Sequence, residues 1–255
     1  MYRCHSRYAA AHIIIGTLIS MAHATTIASI AGVAEAQLGL VTRRQAELAG
    51  VAPATFARQA AAGKILRRVA HGVYLVAGAP VPDNLALRAA WLRLAPETPA
   101  WKRLPSQGVV SHRSAAALYG LGELPADLHE FTLPERRQAD RAEVRIHRGS
   151  LALSEWQRRD GLLVTTPART AADLLADYED PEAVGRIAGE ILRRALDSPD
   201  ALAAAISPSA ARFGLRSRDG VALLRRLLEM AGDPDLGIPV AEAQASSHID
   251  DAGGR

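Results

Sequence analysis

The amino-acid sequence predicts an α+β fold, and three observations lead to it. Between residues 40 and 78, two short helical stretches flank a glycine and a proline, and two β-prone runs follow them. After residue 83, short β-prone runs alternate with helical patterns, and from residue 180 the pattern is helical almost throughout. We therefore predict an N-terminal winged helix-turn-helix followed by a mixed α+β domain whose helices are concentrated at its C-terminal side.

Capping residues define the two N-terminal helices and the turn between them. Thr42 can cap a helix over Arg43–Ala49, because its hydroxyl accepts a hydrogen bond from an otherwise unpaired N–H of the first turn. Gly50 follows, where a left-handed backbone is easiest. Pro53 suits the first turn of the second helix, since its missing N–H would be unpaired there anyway. Gly63 is expected to end that helix.

The second helix has one apolar side and one polar side. Phe56 and Ala60 are expected to face the core, which leaves Thr55, Arg58 and Gln59 more exposed. After this helix, the β-prone runs at residues 65–69 and 73–76 flank a turn at residues 70–72 that contains a glycine. This pattern predicts a β-hairpin, the wing.

Positive charge is concentrated in the same segment. Residues 40–78 contain six cations and one anion, so the segment carries +5 against +3 for the whole chain. Cations that neutralise phosphates supply sequence-independent affinity, and exposed residues of the second helix can read base edges. We interpret the segment as a module that binds double-stranded DNA; a helical hairpin used only for packing is the alternative. The residues expected at the DNA are Arg43, Arg44, Thr55, Arg58, Gln59, Lys64, Arg67, Arg68 and His71.

Shifts in composition divide the chain into four parts. The predicted boundaries are 1–32 for an N-terminal extension, 33–79 for the winged helix, 83–232 for the second domain and 233–255 for a disordered tail. Cys4 is the only cysteine, so an intrachain disulfide and a zinc site made of cysteines are excluded. Aromatic content is 4%, which argues against a surface that stacks single-stranded bases.

The extension has two interpretations. Arg3 and Arg7 precede the apolar run Ala9–Ser20, and residues 22–24 resemble a signal-peptidase site, so secretion is one of them. The run is too short for a membrane span. We favour the other interpretation, a disordered or weakly helical extension translated from an early start codon, with Met21 as a later start.

The second domain is predicted from alternating strand and helix signals. A helix from Asn84 to about Leu94 is expected to be capped by Asp83, and Ser111 and Thr166 are expected to cap the helices that begin at or directly after those residues. The other expected strands are Val109-Val110, Glu130–Leu133, Val144–His147 and Leu162–Thr165, and the other expected helices are Ser111–Leu121, Pro167–Ala176, Pro181–Leu196, Asp200–Ile206 and Asp219–Met230.

Several motifs, taken together, resemble the AbiEi-type antitoxins, the antitoxin half of a type IV toxin–antitoxin and phage abortive-infection system. The resemblance covers about residues 37–232. The motifs that carry it are Thr42 with Gln45-Ala46, Ala49–Val51, Gly63–Ile65, Arg67–Val69, Gly72–Tyr74, Ser111–Leu121, Arg145–Arg148, Val164–Thr170, Asp173–Leu175, Arg212–Gly214 and Asp219–Leu224.

The resemblance implies a cytoplasmic, non-enzymatic protein without a cofactor. Family members bind inverted repeats in their own promoter and repress the operon. They also counteract a nucleotidyltransferase-like toxin without forming a stable complex with it. A solitary regulator without a toxin is an alternative.

A nuclease or hydrolase targeted by the winged helix is the other alternative. Some relatives carry an additional C-terminal nuclease-like region, in which acidic residues and a lysine surround magnesium. After Met230 this chain has five acidic residues but no lysine, which argues against that activity.

The second domain contains two further groups of polar residues. His112, Arg113, His147 and Arg148 can form a cluster in which a histidine acts as acid or base; we favour a structural role for them. Arg169 and Asp173 are four residues apart and can pair on one helix face. The eight histidines include no helical pair beside a carboxylate, so no metal site is predicted.

A second basic segment follows residue 135. It could extend the DNA footprint or meet another nucleic acid, although such a run is more often a solvated face. Its arginines are Arg136, Arg137, Arg141, Arg145 and Arg148.

Overall fold

The winged-helix domain begins with a helix over residues 28–35, which is α1. The computed structural model describes residues 28–135 and 142–236. A short strand precedes the helix pair, and the three strands form a sheet in the order β1-β3-β2, antiparallel throughout. The remaining elements are β1 Leu40–Thr42, α2 Arg43–Leu48, α3 Pro53–Ala62, β2 Leu66–Ala70 and β3 Val73–Val76.

The local signals in this domain are confirmed. The Thr42 hydroxyl accepts a hydrogen bond from the Gln45 N–H at 3.0 Å, and Pro53 occupies the first turn of α3. Gly50 and Gly63 have φ values of +90° and +66°, the left-handed region that favours glycine.

Two elements of this domain were not predicted. The strand β1 is too short to show a period, and it exists because it pairs with β3, where Val41 faces Tyr74. Helix α1 contributes the fully buried Ile30 to the core. Ile30 lies before the predicted bounds of the winged helix, residues 33–79, and packs in its core.

The second domain is built on a mixed five-stranded sheet in the order β6-β5-β4-β8-β7. Strand β5 pairs in parallel with β6, and β4 pairs in parallel with β8; the other two pairings are antiparallel. The α+β class is confirmed. The elements are α4 Leu85–Leu94, β4 Val109–Val110, α5 His112–Tyr119, β5 His129–Leu133, β6 Val144–Arg148, β7 Trp156–Arg159, β8 Leu162–Thr165, α6 Pro167–Ala176, α7 Pro181–Arg193, α8 Pro199–Ile206 and α9 Gly220–Met230.

Helix caps in this domain differ in part from the prediction. Thr166 caps α6 as expected, by accepting a hydrogen bond from the Arg169 N–H. Asp83 does not cap α4: Asn84 is the residue before that helix, its φ is +55°, and no side chain caps the helix. Ser111 precedes α5 without capping it, because its hydroxyl lies 2.9 Å from His112 Nδ1.

One face of the small sheet packs into the hydrophobic core of the second domain, while the other face carries the separate core under α3. Leu40, Val73 and Leu75 of the small sheet pack in the same buried cluster as Trp91 of α4. Because this contact is direct, two features fix the position of the winged helix. One is its packing against α4, and the other is the proline-containing connector at residues 79–82.

Buried amides reinforce this junction. Gln45 of α2 donates to the Thr98 carbonyl at 3.2 Å, and the Ala100 N–H donates to the side chain of Gln37 at 2.9 Å. Gln37 and Gln45 also bond to each other through both of their amide groups. The loop after α4 is therefore hydrogen-bonded to the start of the helix pair.

The described part of the C-terminal segment lies against α7. Asp233 pairs with Arg193 at 2.6 Å, and Leu236 packs against the core. The predicted tail thus begins with residues that make contacts; residues 237–255 lie outside the described residues, as do residues 1–27. No helix in the described ranges is long and apolar enough to span a membrane.

Candidate nucleic-acid interface

Aromatic packing positions helix α3 on the small sheet. Phe56 is 1% exposed, and its ring meets the ring of Tyr74 in β3 edge to face, with centroids 4.9 Å apart. Val51, Ile65 and Leu66 complete the core under the helix. The opposite side of α3 is therefore presented outward by a rigid support.

The outward side of α3 carries one cation among small side chains. Arg58 is exposed, and Thr55 is partly buried. The exposed alanines around them are Ala54, Ala57, Ala61 and Ala62. This surface can approach a DNA groove closely, because, among the described residues, Arg58 is the one long side chain that projects from it.

The expected exposure of Gln59 is wrong. Gln59 is 2% exposed, because it lies three residues after Phe56 and three residues turn a helix by about 300°, which returns to the same side. Its Oε1 atom has no hydrogen-bond partner among the described residues. Gln59 thus lies on the side of α3 that faces the protein core, so it is not one of the residues that could contact a base.

The arginines of α2 are exposed and partly neutralised. Arg43 donates to Glu47 at 2.8 Å, and Arg44 donates to the same carboxylate at 3.2 Å. The hydrogen bond from Arg43 is the main reason that the pKa of Glu47 lies below its ordinary value. Both arginines keep more than half of their side-chain surface in solvent.

The wing carries the remaining cations on its exposed surface. Lys64, Arg67, Arg68 and His71 are all exposed, and an Arg68 guanidinium nitrogen lies 3.2 Å from His71 Nδ1. The turn at Gly72 is tight, with φ at +72°. It lies beside the start of α2, because the Arg43 N–H donates to the Gly72 carbonyl at 2.9 Å.

A cleft of about 410 Å³ lies where α2, the wing turn and the end of α4 meet. Arg93 comes from the second domain, and sequence reasoning missed it because only the packing of α4 on the winged helix brings it here. The residues that line the cleft are Arg43, Arg44, Glu47, His71, Gly72, Arg93 and Pro96. Four of these seven can carry positive charge, so the cleft fits a phosphate group.

The helix order, the three-stranded sheet and the basic wing define a winged helix of the DNA-binding class. Residues 30–77, the winged helix almost from end to end, match the family described as "Transcriptional regulator, AbiEi antitoxin". The resemblance to AbiEi antitoxins is thereby confirmed for this segment, and the match ends before the second domain. No curated protein matches the chain.

The second domain brings two of the predicted cluster residues together. The rings of His112 and His147 are stacked, with centroids 3.4 Å apart and planes 12° from parallel. Arg113 bonds to Glu179 through its side chain at 2.5 Å. Arg148 is exposed and belongs to the other face of β6, since side chains alternate along a strand.

Two residues of this cluster were not anticipated. Glu130 of β5 is 2% exposed; it accepts hydrogen bonds from His147 at 3.1 Å and from the Arg113 backbone N–H at 2.8 Å. Asp177, at the end of α6, pairs with Arg145 at 2.9 Å. Their spacing along the sequence has no helical or strand period, so the sequence contains no local signal for this arrangement.

Burial sets the protonation of the cluster. Burial, followed by the charge of His147, lowers the pKa of His112 to about 3, so His112 is neutral near pH 7. Burial alone would raise the pKa of Glu130, but hydrogen bonds from His147 and the Arg113 N–H bring it below its ordinary value. Glu130 is therefore a buried carboxylate that stays charged.

The predicted pair on α6 is formed. Arg169 donates to Asp173 at 2.7 Å and to Glu155 at 2.7 Å. Asp173 is only 5% exposed, and its Oδ2 atom has no hydrogen-bond partner in the described ranges. Burial raises the pKa of Asp173. The pair is therefore half-buried, with Asp173 covered and Arg169 partly exposed.

The second basic segment is only partly described. Arg136, Arg137 and Arg141 lie outside the described residues. Arg145 and Arg148 lie on opposite faces of β6, and Arg145 is paired with Asp177. These two arginines therefore do not form one continuous basic surface.

The sequence predicts no metal site, yet three residues with metal-ligating atoms meet in the second domain. The ligand atoms of Glu130, His147 and Asp177 lie within 4.8 Å of one another. Among the described residues, this is the group of three or more such side chains that could hold an ion.

Proposed function

We propose that this chain represses its own operon as the DNA-binding antitoxin of a type IV toxin–antitoxin pair. The observation that carries the proposal is the family match over residues 30–77 together with the exposed cations of that segment. The proposed operator is an inverted repeat in double-stranded DNA. The protein acts in the cytoplasm, and its functional partner is a nucleotidyltransferase-like toxin that it counteracts without a stable complex.

In this proposal α3 enters the major groove and reads bases. Arg58 is the residue placed to form two hydrogen bonds with a guanine, the commonest specific contact of arginine in that groove. The alanine methyl groups around it suit contact with thymine methyl groups. Thr55 lies at the edge of this surface and can bond to a base or to a phosphate.

The surrounding cations bind the sugar-phosphate backbone of the DNA. Arg43 and Arg44 face one strand from the start of α2, and the wing approaches the backbone or the minor groove with Lys64, Arg67, Arg68 and His71. We add Arg93 to this set, since it lines the cleft beside Arg43, Arg44 and His71. If the five arginines and the lysine of this set each contact a phosphate, the logarithm of affinity falls with the logarithm of salt at a slope of about −5.

The direct test is fluorescence anisotropy of the full chain on its own upstream DNA and on a scrambled duplex, at two salt concentrations. We expect tight binding to the native duplex at a salt concentration at which the protein no longer binds the scrambled duplex. Equal and steeply salt-sensitive binding to both duplexes would refute the proposal that the protein recognises an operator. It would show only that a basic surface binds DNA without sequence specificity.

The antitoxin role needs a separate experiment. Cells that express a neighbouring nucleotidyltransferase gene should stop growing, and co-expression of this chain should restore growth. Affinity purification from the same cells should recover this chain without the toxin. Failure to restore growth while the operator is still bound would favour a solitary regulator.

A further inference from the structure

We propose that Glu130, His147 and Asp177 form a binding site for a divalent transition-metal ion in the second domain. The three side chains come from β5, β6 and the end of α6, and their ligand atoms lie within 4.8 Å of one another. This site is separate from the DNA surface and does not depend on the proposed operator.

Sheet geometry supplies two of the ligands. In the parallel pair β5–β6, Glu130 lies opposite Arg145 and Thr132 lies opposite His147, so all four side chains share one face. Asp177 follows the last turn of α6 and is partly exposed. Ligands of a tetrahedral zinc ion lie about 3.4 Å apart, since each bond is about 2.1 Å. Closing around the ion therefore needs the ligand atoms to approach by up to about 1.4 Å, which the end of a helix can supply.

The charges of the site match a divalent cation. Glu130 and Asp177 contribute two negative charges, and a neutral imidazole adds none, so the ion and its ligands sum to zero. Carboxylate oxygen combined with imidazole nitrogen is a donor set that zinc and similar transition metals accept. Magnesium and calcium prefer oxygen ligands alone, so they fit this set less well.

Supporting contacts already orient the ligands. The Arg113 backbone N–H holds one oxygen of Glu130, which leaves the other oxygen directed at His147. The His147 ring lies flat on His112, which is 6% exposed. Groups that fix the orientation of ligands in this way strengthen metal binding.

Arg145 is the group that an incoming ion displaces. Its guanidinium lies 2.9 Å from Asp177 and 3.8 Å from Glu130, so it now neutralises the two carboxylates. About half of its side chain is exposed, and it can move into solvent when the ion enters. Arg145 therefore competes with the metal for the same carboxylates, and this competition gives the site a distinctive test.

The experiment is calorimetric titration of the full, chelator-treated chain with Zn²⁺, repeated with Mg²⁺. We expect one Zn²⁺ site that His147→Gln and Asp177→Asn each weaken at least tenfold, and much weaker binding of Mg²⁺. His71→Gln and Asp200→Asn change an exposed histidine and an exposed aspartate elsewhere, and they should leave Zn²⁺ affinity unchanged. Thermal unfolding with chelator present would show that each variant is folded.

Arg145→Ala gives the second readout, with the opposite sign. Removing the competing guanidinium should tighten Zn²⁺ binding severalfold, whereas a variant that merely disturbs the fold would weaken it. The proposal is overturned if the wild-type chain takes up no Zn²⁺, if the ligand variants bind as the wild type does, or if Arg145→Ala loses affinity.

Discussion

The ring of Phe56 in α3 meets the ring of Tyr74 in β3 edge to face, at a centroid separation of 4.9 Å and an interplanar angle of 84°. This contact joins the helix that would read DNA to the sheet that carries the wing. Because Tyr74 is paired with both β1 and β2, the contact ties α3 to all three strands. The spacing between Arg58 and the wing cations therefore depends on it.

Phe56→Ala should destabilise the protein by about 3–5 kcal/mol, because it removes a buried ring and leaves a cavity. Urea unfolding followed by circular dichroism measures the change. Leu48→Ala is the control, since Leu48 is 73% exposed and its loss should shift stability by about 0.5 kcal/mol or less. A Phe56 variant as stable as the control would contradict this packing.

Arg58→Ala should weaken binding to the operator by about 1–3 kcal/mol and relax specificity at one base pair. The reason is that Arg58 is the cation on the exposed side of α3. Anisotropy on the native duplex and on duplexes with single changes measures both effects. An equal loss on every sequence would make Arg58 a phosphate contact instead.

Arg93→Ala should weaken binding to native and scrambled duplexes alike and make the salt slope shallower by about 0.9. A phosphate contact in the cleft has this effect because it carries no base information. Arg225→Ala, an exposed arginine of α9, is the matched control and should change neither quantity. An unchanged slope in Arg93→Ala, with operator binding intact, would remove Arg93 from the interface and leave the rest of the proposal standing.

Gln45→Ala should destabilise the protein by about 3 kcal/mol or more, because it removes hydrogen-bond partners of Gln37, Thr98 and the Thr42 N–H. Gln157→Ala removes one hydrogen bond from an exposed glutamine and should cost about 1 kcal/mol or less. Thermal unfolding of the wild type should show one transition, because the small sheet packs directly into the core of the second domain. Two separate transitions would argue that the domains unfold independently.

His112 should make stability depend on pH in the acid range. Its pKa is about 3 in the folded protein and near 6.5 when unfolded, so between these values the unfolded chain binds the extra proton. Stability should therefore fall as the pH is lowered, by about 2 kcal/mol from this residue between pH 8 and pH 5.

Urea unfolding at both pH values, with chelator present, tests this dependence. His112→Asn is the matched variant, because asparagine tolerates the left-handed backbone at this position, where φ is +52°. The variant should lose about 2 kcal/mol less than the wild type between pH 8 and pH 5. Equal losses would mean that His112 titrates normally.

Sequence patterns predicted most of the helices and strands, and the reason is local. The bounds of β8 and of α6 are those expected, because Thr166 and Pro167 start α6 through their own hydrogen-bonding capacity and ring geometry. By contrast, β1 and β7 were not anticipated. A three- or four-residue strand at a sheet edge forms through its partner and shows little pattern of its own.

The residues of the candidate DNA interface were harder to predict from the sequence than the helices and strands. Arg58 is exposed as expected, whereas Gln59 next to it is buried, because the width of the buried stripe depends on what packs under the helix. Arg93 joins the cleft only through the contact between α4 and the winged helix. Neither result follows from the residue types themselves.

The sequence by itself determined the caps at Thr42 and Thr166, the left-handed glycines Gly50 and Gly63, the basic charge of residues 40–78 and the family to which residues 30–77 are similar. These depend on residues that are neighbours along the chain. The tertiary structure decided the packing of the small sheet into the core of the second domain, and the meeting of His112, His147, Glu130 and Asp177. Long-range packing set these contacts, because strand pairing and helix docking bring together residues that no sequence period connects.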